Sequence, residues 1–304
     1  MSGNIINTAS FAKSLWPGVN AWFGQAYNQY SPEWVNLFQK ESSERSFEED
    51  VGVSGFGLAA LKGEGAPITM DSQRQSFIQR YVHNVYALGF AITQEAYEDD
   101  LYGVVGKKGA QALAFSMQQT KEIIGANIFN RAFSGTYTYG DGQALISTSH
   151  PNFVGGSWSN RLSVDSDLSE AALEQACIDI AGFTNDRGLL IKVLPKKLAI
   201  ARQNMFEATR ILGSQGRVGT ELNDTNALKT MGMIPEVVTN HYFTDADAWF
   251  ILTDVKDGMK YFERKAMNFG VDNDSSTKNA IYTATERYSF GATDPRGIYG
   301  SPGA

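Results

Sequence analysis

The residues best suited to chemistry are three histidines, His83, His150 and His241, and the single cysteine Cys177, in a chain of 304 residues. His150 lies in Ser147-Thr148-Ser149-His150-Pro151, so hydroxyls and an imidazole stand close in sequence. Nucleophilic catalysis needs such a pair facing each other, with a third group orienting the base. Neighbours along the chain rarely face each other that way. No Gly-x-Ser-x-Gly elbow is present, because Gly52-Val53-Ser54-Gly55-Phe56 lacks the last glycine. The pattern favours a histidine that structures its loop, with a hydrolase using His150 and Ser147 or Ser149 as the alternative.

Other motifs are incomplete. Gly55-Phe56-Gly57-Leu58-Ala59-Ala60 has dinucleotide-fingerprint spacing, but Gly63 and Gly65 interrupt the helix that must follow. Asp272-Asn273-Asp274 begins like a calcium loop and lacks its glycine and closing glutamate. Glu98-Asp99-Asp100 reads as carboxylates complementing a helix N-terminus. Cys177, among Ala176, Ile178 and Ile180, reads as a buried thiol, and one cysteine allows no intrachain disulfide. The lysine doublets Lys107-Lys108 and Lys196-Lys197 are not interleaved with aromatics as single-strand binders require. No catalytic residue, cofactor or metal ligand is assigned, and the chain is not read as an enzyme.

The elements that could position these groups follow from periodicity. The helix with the strongest signal is expected over 93–133: Thr93 is a good N-cap, and Leu113, Met117, Ile124 and Ile128 line one face. Its glycines, Gly103, Gly106, Gly109 and Gly125, predict a bend or a break near 103–109. Residues 46–92 read as a long hairpin with a polar, glycine-rich tip at 62–67. A second helix is expected at 168–182, with Asp167 and Glu170 in capping-box positions, and a third over 204–212. Strands are expected at 197–201, 234–240, 248–254, 259–265 and 278–290, and 291–304 reads as a glycine-rich loop. This order is an α+β plan without the βαβ alternation of a dinucleotide fold.

Residues 1–45 carry Trp16, Trp22, Phe23, Trp34 and Phe38 among Asn, Gln, Ser, Gly and Pro. So many rings cannot lie in water without cost. They must pack on something, either their own domain or a neighbouring copy. The apolar share of 42% suffices for a core, and no stretch approaches the roughly 20 apolar residues of a membrane span. The net charge of -7 argues against a surface that grips nucleic acid everywhere, but not against a container whose acidic inner wall lets phosphate slide.

Three stretches resemble tailed-bacteriophage major capsid proteins, including Mu-like major head subunits. They are Ala91-Ile92-Thr93-Gln94-Glu95 with Glu98-Asp99-Asp100-Leu101-Tyr102-Gly103; Asp141-Gly142-Gln143-Ala144-Leu145-Ile146-Ser147-Thr148-Ser149-His150-Pro151, running on to Gly155-Gly156 and Ser159-Asn160; and Asp294-Pro295-Arg296-Gly297-Ile298-Tyr299-Gly300. The resemblance implies the α+β capsid fold named after phage Hong Kong 97. It divides the chain into an N-arm (1–45), an extended loop (46–92), a peripheral domain (93–165 and 256–290) and an axial domain (166–255 and 291–304). It implies hexamers and pentamers of the chain itself, forming an icosahedral head around double-stranded DNA that is held without sequence-specific binding.

Assembly is expected in the host bacterial cytoplasm, with portal, scaffolding and decoration proteins as partners and no membrane. The chain has no long charged segment at its start of the kind that scaffolds some relatives, so scaffolding is expected from a separate protein or a removed piece. Trp16, Trp22, Trp34, Lys62 and Glu64 are candidate intersubunit contacts. Lys62 lies near the loop tip, where some relatives cross-link, but no motif identifies an asparagine partner and the cross-link is not carried over. An encapsulin-like nanocompartment shell is the alternative of the same fold.

Overall fold

Alternation along one segment organises half of the molecule. Tyr282, Ala284, Glu286 and Tyr288 share one face of a strand and are buried, while Thr283 on the other face is exposed. The structure is a computed structural model describing residues 23–304 apart from 94, 97–98, 100–103, 153–154, 217–223, 275–276 and 278.

Residues 23–29 are helical (α1), and a 3-10 turn at Trp34–Asn36 leads into β1 (Gln39–Ser42). β2 (Phe47–Val53) and β3 (Gln75–Val82) pair as an antiparallel hairpin, and β4 (Asn84–Ile92) follows. The long helix α2 (Val104–Asn130) precedes the short pair β5 (His150–Pro151) and β6 (Ser157–Trp158). Then come α3 (Glu170–Ala181), β7 (Pro195–Ala201), α4 (Met205–Gly213), α5 (Ala227–Met231), β8 (Glu236–Asn240) and β9 (Trp249–Thr253). The chain closes with β10 (Met259–Asn273), β11 (Ala280–Ala292) and β12 (Ile298–Ser301).

Two four-stranded sheets result. The first has the order β1-β10-β11-β4, and α2 lies across it. Leu113, Ala114 and Met117 of the helix pack with Phe269, Tyr282 and Ala284 of the sheet. Gly109 is where helix and sheet approach most closely: a Cβ there would stand 2.6 Å from the Phe90 ring, so this glycine serves contact and the helix continues through it. Beneath the helix Lys121 and Glu286 form a buried ion pair, and Tyr27 donates to Glu286 at 2.9 Å.

The second sheet has the order β12-β9-β7-β8. α3, α4 and α5 cover one face through Leu173, Ile180, Ile211 and Leu228, which meet Leu198, Ile200, Trp249 and Ile251. The other face, with Ala199, Phe250 and Leu252, packs with Phe129 of α2 and Tyr261 and Tyr288 of the first sheet, so both sheets share one core.

Several expectations need correction. The aromatics of the N-terminal region do not wait for a neighbour where they are described. Phe23 is buried against Phe269, Trp34 packs at a tilt on Tyr261 with ring centroids 4.3 Å apart, and Phe38 meets Phe129 and Phe290. β1 is a parallel strand of the first sheet, paired with β10. Removing residues 1–40 would therefore strip three large rings and part of an edge strand from the core, at about 2–3 kcal/mol per ring in transfer energy alone.

The second helix is capped by Ser169, whose side chain accepts from the Ala172 N–H, and not by Asp167. The C-terminal stretch is not all loop: β12 pairs with β9, and Gly300 lets it lie against Trp249, whose carbonyl oxygen would be 2.8 Å from an added Cβ. The expected helix start falls partly outside the described residues, though Thr93 Oγ1 accepts from the Ala96 N–H at 3.3 Å.

Candidate functional site

Two features stand out: a buried polar joint between the sheets, and the protruding hairpin. The joint gathers two of the three stretches that carried the resemblance. A tight turn at 139–142, closed by Gly142 N–H to the Tyr139 carbonyl at 2.8 Å, presents Asp141. Its carboxylate lies 2.5 Å from His150 Nδ1, and His150 is fully buried. His150 Nε2 lies 3.0 Å from Asn160 Oδ1.

The orientation of Asn160 is set by its surroundings. Nδ2 donates to the carbonyls of Leu145 (2.8 Å), Pro295 (3.0 Å) and Ile298 (3.1 Å), and Oδ1 accepts from the Ser147 N–H at 2.8 Å. Both imidazole nitrogens are thus engaged, Nδ1 by Asp141 and Nε2 by Asn160. Asn160 ties the buried His150–Asp141 pair to the C-terminal segment 135 residues away.

Trp158 braces the joint. It stacks on His150 at 4.8 Å, and the Arg296 guanidinium lies 4.6 Å from its ring centroid. Arg296 also donates to the Thr184 carbonyl at 2.7 Å and to Asp186 at 3.0 Å. Both nitrogens of His150 are turned to Asp141 and Asn160 and not to a serine hydroxyl, and the Ser147 hydroxyl accepts from the Ser149 backbone N–H at 3.2 Å.

The other titratable groups are structural too. His83 is held between the hydroxyls of Ser43 and Ser289, and burial lowers its pKa. His241 pairs with Glu33. Burial pushes the Cys177 thiol up to about 11, as a structural thiol requires. Among the described residues no cluster of His, Cys, Asp and Glu could hold a metal, and no helix is long and apolar enough to cross a membrane.

The hairpin is anchored at its base and open at its tip. Asp50 of β2 takes the buried Lys260 ammonium at 2.8 Å and the Thr293 hydroxyl at 2.6 Å, and Thr293 also bonds Tyr81 of β3 at 2.6 Å. Burial alone would lower the Lys260 pKa, but hydrogen bonds to Asp257 and Asp50 outweigh it and the pKa is raised.

Further out, Asp71 accepts from the N–H groups of Gly57 and Ser72 and pairs with Arg187 at 3.1 Å; these hold its carboxyl below the usual range. Between 56 and 70 lie Phe56, Leu58, Leu61, Ile68 and Met70, all strongly exposed, with Leu58 at 83% and Met70 at 88%. A row of large apolar side chains on a thin hairpin marks a contact surface.

Of the candidate intersubunit residues, Lys62 and Glu64 stand exposed at this tip. Trp34 is spent within its own subunit, and Trp16 and Trp22 lie outside the described residues. Sequence reasoning missed the Asp141–His150–Asn160 joint and the Lys260–Asp50 anchor. The spacing of Asp141, His150 and Asn160 within one motif was the available signal for the first; nothing local signals the second.

A family model described as phage capsid protein matches residues 79–301. No curated protein matches the chain. Among solved structures, the capsid of a native GTA particle is similar with a TM-score of 0.55 at 11% identity, covering 88% of this chain and 89% of that one. A virus-like particle from Pyrococcus furiosus gives 0.53 at 11% identity, covering 94% and 98%. The procapsid of bacteriophage JBD30 gives 0.51 at 11% identity, covering 97% and 76%. At such identities the likeness is one of fold, and it is the Hong Kong 97-type α+β capsid fold.

Proposed function

Because the chain belongs to the phage capsid protein family, and is a major capsid protein building the shell of a virion, we propose that its copies close into rings of six and five that tile an icosahedral head. The observation that carries this reading is the match over 79–301, which takes in the end of β3, the long helix, the whole second sheet and β4, β10 and β11 of the first. The protruding hairpin supports it, since among the described residues no element covers its exposed apolar row. Its tip, with Lys62 and Glu64, would lie on a neighbouring copy. The chain acts by geometry and not as an enzyme: many modest, identical contacts multiply into a stable shell.

The finer assignments are part of the same proposal. Residues 93–165 and 256–290 would form the peripheral domain, and 166–255 with 291–304 the axial one; the axial span holds all four strands of the second sheet, while the first sheet also draws β1 and β4 from the N-arm and extended-loop spans. The N-arm would be 1–45, of which the segment 23–42 is folded against its own subunit. Double-stranded DNA would fill the lumen, held without base contacts by a chain of net charge -7. Portal, scaffolding and decoration proteins would complete the head in the host cytoplasm. A nanocompartment shell has the same fold, but the family match is to phage capsid proteins.

Native mass spectrometry of the assembled chain tests the ring states. Six and five copies of a 33.3 kDa subunit are expected. Replacing 58–68 by a Gly-Ser linker should abolish them while leaving folded monomer. Dimers as the largest species of the intact chain would refute the proposal.

A further inference from the structure

The second sheet carries two unlike surfaces on its opposite edges. Along the β12 edge lies α3, whose inner face is core and whose outer face presents Ala171, Gln175 and Ile178. Ile178 is 64% exposed, and Glu174 stands one turn before it on the same side of the helix. From 162 to 186 the chain contains six carboxylates and no lysine or arginine; Asp165 and Asp186 are paired with Arg161 and Arg296, while Glu170 and Glu174 lie on α3 itself beside the apolar Ile178.

The β8 edge is its complement. A pocket of about 340 Å³ elsewhere in the molecule is polar and crowded with ion pairs, but here α4, α5 and β8 border an open groove of about 320 Å³ with a more apolar lining. Leu212, Leu228, Ile234, Pro235 and Val237 line it, and Lys229 is the one charged side chain in its wall. Phe206 and Met231, 67% and 69% exposed, are carried by the two helices that border it. Nothing in the same subunit can reach from one edge to the other, because the whole sheet lies between them.

We propose that these two edges are the two halves of one interface: the α3 ridge of one copy seats in the α4–α5–β8 pocket of the next, Ile178 filling the apolar space and Glu174 facing Lys229. The occupant is a second copy because the ridge supplies what the pocket lacks, an apolar side chain flanked by negative charge. Contacts between unlike patches on opposite edges are heterologous, and such contacts generate rings when the rotation closes. The inference rests on the capsid reading above and adds which residues set the ring contact of the second domain.

Charge reversal tests it. Ile178→Asp, Glu174→Lys and Lys229→Glu change surface residues and should leave the urea unfolding midpoint of the monomer near wild type. Each alone should raise the concentration needed for ring formation about tenfold or more, read by sedimentation velocity. Glu174→Lys combined with Lys229→Glu in one chain should restore assembly.

Mixing the two single charge variants should restore it only in alternation, and an alternating ring needs an even number of subunits. Six-membered rings should return and five-membered rings should not. Ile178→Asp assembling at the wild-type concentration, or a double charge variant no better than the single ones, would overturn the interface while the wild-type rings keep the capsid reading. A wild-type chain that forms no ring, either alone or co-expressed with a scaffold, would overturn both.

Discussion

Replacing His150 by alanine removes the centre of the polar joint, and the structure sets the scale of the loss. The side chain is fully buried, so truncation leaves a cavity; for an aromatic ring this costs about 3–5 kcal/mol. Within that range falls the stack on Trp158, worth about 0.5–1.5 kcal/mol. The Asp141 carboxylate, itself only 7% exposed, loses its imidazole partner and keeps the Gln143 N–H at 3.0 Å as a bond. A stranded buried carboxylate pushes the cost to the upper half of the range.

The expected destabilisation is therefore about 4 kcal/mol, or roughly 10 °C in Tm for a chain of this size. Urea unfolding followed by Trp158 fluorescence reads it. Asp141→Ala with His150→Ala should be markedly sub-additive, with a coupling above about 1.5 kcal/mol. A loss below about 1 kcal/mol, or additive effects, would refute the coupled joint. A catalytic histidine would behave oppositely, since its removal abolishes an activity and commonly spares stability.

Glu122 accepts the backbone N–H groups of Glu33 and Trp34, and burial pushes its pKa up to about 6 from 4.5. The folded state then binds more protons between these values, so stability falls as pH rises through the window. Relative to wild type, Glu122→Gln should gain about 2 kcal/mol between pH 4.5 and 7 in urea titrations, and a flat difference would contradict the assignment.

Lys121→Met leaves Glu286 charged and buried beneath α2 and should cost about 3–5 kcal/mol, while Lys121→Met with Glu286→Gln should recover most of it in the same assay. In Gly140→Ala the new Cβ would sit 2.5 Å from the Ile78 carbonyl oxygen, so the 134–160 loop must move off the hairpin base. Faster hydrogen exchange along β3 and a loss of about 1–3 kcal/mol are expected, and unchanged exchange would argue against that contact.

What the sequence made legible was local. The alternation around 282–290 became β11, the apolar stripe of 113–128 became the buried side of α2, and the glycine-loaded 46–92 became the hairpin and its continuation β4. What it hid was long-range. Trp34 and Phe38 looked homeless because their partners, Tyr261, Phe129 and Phe290, lie far along the chain. β12 read as loop because its glycines serve a close approach to β9 that only tertiary pairing reveals.

The joint shows both sides of this limit. Asp141, His150 and Asn160 stand together in one motif, but Asn160 acquires its role from the carbonyls of Pro295 and Ile298. Lys260 looked like an ordinary strand lysine until Asp50 came across from the hairpin.

The central claim is that this chain builds a shell. Negative-stain microscopy of the intact chain, alone and co-expressed with a scaffold, fractionated by sedimentation, tests it most directly. Rings, tubes or closed shells are predicted. A 33.3 kDa monomer as the sole species under every such condition would contradict it.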